Sequence, residues 1–191
     1  MLAKNFLVTG LPRSRTAWMA AFLSTGNSIC FHEPLKKLSD ISELPEALRS
    51  VNHSYVGASD SGAGYFLPWI MKNSPMPILI IDRDERDVTE SMQSIGYQMG
   101  NAIELLSDRL HAAKCHPDVM WVTFDSLDNN RIMQKIWWHL MPGSAFDEER
   151  YEVFKDLKIV ADIEKIEKFA ESHIIRQRNL LRDVLPLIER N

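Results

Sequence analysis

A chain of 191 residues and 22.0 kDa is one ordinary domain. With 45% apolar and 25% charged residues it has material for a sizeable core and no case for global disorder. Twenty-two Lys and Arg against 26 Asp and Glu argue against a protein held on a nucleic-acid backbone, where a basic field supplies most of the affinity.

The elements follow in chain order. Phe6–Thr9 is the first strand candidate, and Thr16–Thr25 after it is rich enough in Ala, Leu, Phe and Trp to be a helix packed on a sheet. Ile29–Phe31, Tyr55–Ala58, Ile78–Ile81 and Val119–Phe124 are the other strand candidates. Continuous apolar runs such as Ile78-Leu79-Ile80-Ile81, without strict alternation, suit strands covered on both faces, as in parallel sheets. Ser59–Gly64 has the composition of a flexible loop, with Ser59, Asp60 and Ser61 at a strand's carboxyl end where they either touch a ligand or form a turn. Asp84–Met99 places Val88, Met92, Ile95 and Met99 on one helical stripe. Ala102–Ala113 and Asn129–Leu140 continue the alternation, and Asp125 between them reads as a cap or turn residue. Trp137-Trp138 and the Met92 and Met99 stripe are expected in the core. From Asp147 to Ser172 the pattern is acidic and helical, with Ile159, Ile163, Ile166 and Ala170 on one face, and 172–190 reads as a further helix broken near Pro186. The whole is an α/β fold: a three-layer sandwich around a central parallel sheet of about five strands, in a single domain with a core over 1–141 and a helical extension over 142–191.

Cys30 and Cys115 lie far apart and outside any Cys-x-x-Cys or Cys/His cluster, so no metal is expected and a reducing cytoplasm is the expected compartment. The run that ends at Gly10 is too short for a secretory signal or an anchor, so no membrane partner is expected either. Residues 1–37 hold Lys4, Arg13, Arg15, Lys36 and Lys37 against Glu33, a local charge of +4 in a chain of −4, which suits a small anionic ligand.

The segment Leu7-Val8-Thr9-Gly10-Leu11-Pro12-Arg13-Ser14-Arg15-Thr16-Ala17-Trp18 is a strand, a tight turn and a helix start, a candidate phosphate cradle of backbone N–H groups. A nucleoside-triphosphate P-loop would need a second glycine and a lysine where Arg15 and Thr16 stand, which disfavours ATP chemistry. Pro12-Arg13-Ser14-x-Thr16 followed by Trp18 resembles the 5′-phosphosulfate loop of the sulfotransferase family. Arg83, Arg86-Asp87-Val88 and Ser91, at a strand end and the helix after it, resemble the elements with which that family clamps the 3′-phosphate of 3′-phosphoadenosine 5′-phosphosulfate (PAPS). Ile29–Leu35, with Glu33-Pro34, is similar to the short second strand of its carbohydrate-modifying and bacterial members.

The resemblance covers residues 5–141 and implies a P-loop NTPase-like topology and sulfuryl transfer from PAPS to a hydroxyl or amine without a metal. It implies cofactor contacts from Pro12, Arg13, Ser14, Arg15, Thr16, Ala17, Arg83 and Ser91. Arg13 stands in the place of the basic residue beside the bridging oxygen, where its fixed charge would support the leaving group. Glu33, or His32 second, would take the acceptor's proton. Glu33 could instead only pair with Lys36, Lys37 or Arg13. The sequence departs from the family at Arg15, where a glycine is usual; the side chain must leave the turn or reach an anion. The Arg-Lys-Gly run near the end of cytosolic members is absent; Arg176 and Arg178 could substitute for it as phosphate contacts but suit a solvated helix face better. The chain is shorter than most members, which leaves a large acceptor, or a second copy in a homo-oligomer, to complete the acceptor side. Two rival functions stay open: a P-loop-class phosphotransferase, and a nucleotide-binding or assembly protein of the same fold without transfer chemistry.

Overall fold

Ile78–Ile81 is fully buried, as its unbroken apolar run requires, because helices cover both faces of the strand it belongs to. The computed structural model describes residues 4–157 and 159. Five strands, β1 (Lys4–Gly10), β2 (Ser28–His32), β3 (Tyr55–Ser59), β4 (Ile78–Asp82) and β5 (Val119–Thr123), form one sheet in the order β2-β3-β1-β4-β5. Every pairing is parallel, with Val8 opposite Ser59 and Gly10 opposite Ile81. After β1 the chain runs to the edge strand β2 and returns inward to β3, which pairs with β1, and then crosses to β4 and on to β5 on the other side. The carboxyl end of β1 is therefore the switch point where ligands collect in open α/β sheets.

Residues alternate along each strand and supply two cores. Phe6, Val8, Leu79 and Ile81 pack with α1 (Thr16–Phe22), α6 (Asn130–Leu140) and α7 (Glu148–Phe154) through Trp18, Phe22, Trp137 and Tyr151. Leu7, Ile78 and Ile80 face α2 (Leu44–Arg49), α3 (Leu67–Asn73), α4 (Glu85–Gln93) and α5 (Ala102–Ala113). The result is the expected α/β/α sandwich with a five-stranded parallel sheet. Arg150 of α7 donates to the carbonyls of Ala21, Phe22 and Ser24, which closes the end of α1.

Several boundaries differ from the sequence reading. The first helix ends at Phe22 and not at residue 25, because Ser24, Thr25 and Ser28 form a hydrogen-bonded return into β2. The expected 84–99 helix stops at Gln93; Gly96 then takes φ 81°, a turn conformation that ends the stripe before Met99. Leu44-Pro45 and Leu67-Pro68 open two short helices that no long periodicity announced, each with proline in its first turn. The 59–64 segment is ordered: Asp60 caps a two-turn 3-10 helix over Ser61–Phe66 whose Ala63 and Gly64 are buried, Gly64 against Leu106. Trp137 is in the core, but its neighbour Trp138 faces outward at 51% exposure, since adjacent helical residues lie about 100° apart. Asp147 caps α7, which ends at Phe154, and Ile159 is exposed outside any helix. Ile163, Ile166 and Ala170, the 172–190 segment, Arg176 and Arg178 lie outside the described residues. Among the described residues no helix is long and apolar enough to cross a membrane.

Candidate functional site

Strand β1 runs straight into the candidate loop because Gly10 lets two backbones touch. A Cβ at this position would sit 2.5 Å from the Ile81 carbonyl oxygen on β4. The loop then turns through two left-handed residues, Arg13 at φ 66° and Arg15 at φ 60°, before Thr16 opens α1. Ser14 N–H closes the turn on Leu11 O at 3.2 Å, and the first helical bond runs from Met19 N–H to Arg15 O at 2.8 Å. The N–H groups of Thr16 and Ala17 thus precede any intrahelical acceptor, as at every helix start. Pro12 and Ala17 are half-buried, and Ser14 and Thr16 are buried.

The two motifs meet here. Arg13 Nε donates to Ser91 Oγ at 3.1 Å, across 78 residues. Arg83, at the carboxyl end of β4, donates to the carbonyl oxygen of Arg13. Its guanidinium also lies 4.5 Å from the Phe124 ring centre, and the Arg15 guanidinium is 4.8 Å from the same ring. Arg15 further donates to Asp128 Oδ1 at 2.6 Å. Burial lowers the pKa of Arg83, and Arg13 and Arg15 push the same way against Asp87 and Asp125. It stays charged at any physiological pH.

Three polar atoms around the loop, Thr9 Oγ1, Ser14 Oγ and Arg83 Nε, are buried without a hydrogen-bond partner among the described residues. An unpaired donor costs about 1–3 kcal/mol, so such atoms mark strain or a place for a ligand.

Arg15 resolves the two options the sequence left open: its side chain leaves the turn. The backbone keeps the left-handed form a glycine would take, at a cost of roughly 1–2 kcal/mol. Its ion pair with Asp128 and its stacking on Phe124, each worth up to about 1 kcal/mol when partly exposed, offset this. Asp128 and Phe124 were not visible as site residues; the sign was their place just past the carboxyl end of β5. Asp125 sits in the same one-turn helix, Phe124–Asp128, as a turn residue.

Glu33 and His32 stand at the end of β2, the edge strand. His32 is exposed, and partial desolvation lowers its pKa against the pull of Glu33. Glu33 is left-handed at φ 50° and forms an ion pair with Lys36, not with Lys37 or Arg13. It is tied to the loop through β3: Glu33 N–H donates to Ser59 O at 2.9 Å, and Ser59 Oγ donates to Thr16 O at 2.7 Å. Next to it, Asp60 is buried and accepts from Leu35 N–H at 3.1 Å and Gly62 N–H at 2.9 Å. Burial, with Glu33's charge adding to it, raises the Asp60 pKa to about 7 although these two amides pull it down. Ser59 thus joins the start of α1 to the Glu33 turn, and Asp60 joins that turn to the 61–66 segment.

No family model matches this sequence, and neither does any curated protein. In structure the chain is similar to mouse sulfotransferase SULT7A1 complexed with PAP, at a TM-score of 0.57 and 16% identity over 79% of this chain and 62% of that one. It is also similar to a sulfotransferase from Alicyclobacillus acidocaldarius, at a TM-score of 0.50 and 13% identity over 100% of this chain and 98% of that one. The chain has the sulfotransferase fold. It spans about three fifths of the length of the mouse protein.

Proposed function

We propose that this chain is a sulfotransferase that takes a sulfuryl group from PAPS and passes it to a hydroxyl or amine acceptor. The observation that carries the reading is the convergence of Arg13, Ser91 and Arg83 at the switch point, beside Ser14 Oγ and Arg83 Nε, buried and without partners among the described residues. That donor set fits a ligand with two separate anionic ends. The N–H groups of Arg13 and Arg15–Ala17, with the hydroxyls of Ser14 and Thr16, would hold the 5′-phosphosulfate, and Arg83 with Ser91 the 3′-phosphate. The mouse neighbour's complex with PAP supports the same nucleotide.

PAPS, when bound, supplies the activated sulfuryl group. Arg13 offers a fixed positive charge at the donor loop, and a guanidinium that never loses its proton acts there by electrostatics and not as an acid. Glu33 would hold the acceptor's hydroxyl and take its proton, with His32 as the second candidate. Titration calorimetry with adenosine 3′,5′-bisphosphate, AMP and ATP–Mg²⁺ tests the nucleotide part. Tight binding of the bisphosphate, with AMP at least tenfold weaker, is the expected result. Binding of ATP–Mg²⁺ alone would move the reading to phosphoryl transfer, and bisphosphate binding without turnover on alcohols, phenols, sugars and tyrosyl peptides would move it to a binding protein.

The base assignment has its own test. Glu33→Gln is expected to lower kcat by about 100-fold or more, within the range for loss of a general base, with bisphosphate affinity unchanged. If His32→Ala gave that loss and Glu33→Gln did not, the imidazole would be the base.

A further inference from the structure

We propose that Asp128 is a positioning residue of the donor loop: through Arg15 it holds the left-handed turn in its phosphate-binding form, the task a glycine performs unaided. The inference rests on the PAPS reading and assigns a role to two residues that a nucleotide need not touch.

Three observations carry it. Arg15 is the residue just before α1, at φ 60° and ψ 23°, so its backbone angles aim the amides of Thr16 and Ala17. The Arg15 side chain makes no cap bond to α1, so it does not secure the turn from within. The hold comes from 113 residues away: Asp128 Oδ1 accepts from Arg15 Nη1 at 2.6 Å, on the one-turn helix whose first residue, Phe124, also stacks on Arg15. That turn reaches both halves of the site, because Phe124 stacks on Arg83 as well. A side chain paired to a carboxylate and stacked on a ring is held away from the loop's amides, which leaves them to the ligand.

The pair is partly exposed, with the side chains 28% and 60% accessible, so the expected effect is modest but measurable. Asp128→Ala should weaken adenosine 3′,5′-bisphosphate binding by roughly 3–10-fold, and AMP binding by the same factor, because the loop serves the 5′-phosphate common to both. Arg15→Gly takes the left-handed angles freely and removes the side chain through which Asp128 would act, so it supplies the background for the second arm. In the Arg15→Gly background Asp128→Ala should then have no further effect, and this closed double-mutant cycle is the signature of action through Arg15. Thermal melts of all four proteins confirm that each is folded at the assay temperature. Equal losses from Asp128→Ala with and without Arg15 would overturn the inference, as would tighter binding by Asp128→Ala, which would make Asp128 a competitor of the phosphate. A parent protein that binds neither nucleotide would overturn the PAPS reading itself, a result distinct from an additive cycle in a protein that binds.

Discussion

Replacing Arg83 by alanine is expected to weaken adenosine 3′,5′-bisphosphate binding by about 100-fold and AMP binding by less than about threefold. Arg83 sits half-buried at the end of β4 with Nε unpartnered, while one of its terminal nitrogens is committed to the carbonyl of Arg13. A half-buried guanidinium repelled by Arg13 and Arg15 gains twice from a phosphate dianion: it acquires hydrogen bonds and is relieved of a repulsion. Charge-assisted hydrogen bonds contribute about 1.5–3 kcal/mol each, and removing one such bond at the upper end is a factor of about 100. Arg83→Lys keeps the charge but not the planar fork, so its loss should be intermediate, near tenfold. Calorimetry with both nucleotides decides the matter. Equal losses for AMP and the bisphosphate would mean that Arg83 works by bracing the loop through Arg13 O, and the 3′-phosphate assignment would fall.

How far such a site can be read from sequence depends on the range over which its parts interact. The sheet was legible because Phe6–Thr9 and Ile78–Ile81 are apolar runs that suit only strands buried on both faces, and their parallel order follows from the helices between them. The basic loop and the Arg83–Ser91 segment were legible as local patterns, and the structure joins them through the bond from Arg13 to Ser91. The bond from Arg15 to Asp128 was not, because nothing near residue 128 marks it as the partner of residue 15. Ser59 and Asp60 stood out only as strand-end residues, and their use as internal struts depends on where β2 and α1 lie relative to β3. Helices 44–49 and 67–73 escaped because six or seven residues are too few for a period of 3.6 to repeat clearly. The end of α4 is hidden in the pattern because the apolar stripe continues through Ile95 while Gly96 turns the backbone away.

Asp60→Asn should remove a pH dependence of stability that the parent carries between about pH 4 and 7. In the unfolded chain Asp60 ionises near its ordinary value of 3.8, whereas in the folded protein burial raises it to about 7. Between those values the folded state binds the extra proton, so this residue's contribution is fully present below about pH 4 and is lost as pH rises through 7. At about 1.4 kcal/mol per pH unit, the parent should lose roughly 2–3 kcal/mol from pH 5 to pH 8 relative to Asp60→Asn. Urea midpoints of both proteins at the two pH values measure the difference, and other carboxylates cancel between them. At pH 5 the variant should be the less stable protein, because Leu35 N–H and Gly62 N–H bond one oxygen each, and the hydroxyl oxygen of the protonated carboxyl still accepts where the amide NH2 cannot. Parallel pH profiles for the two proteins would show instead that Asp60 is ionised throughout, with its two amides outweighing its burial. In that case the strut between the Glu33 turn and the residue 61–66 helix would keep its full strength across the whole of that pH range.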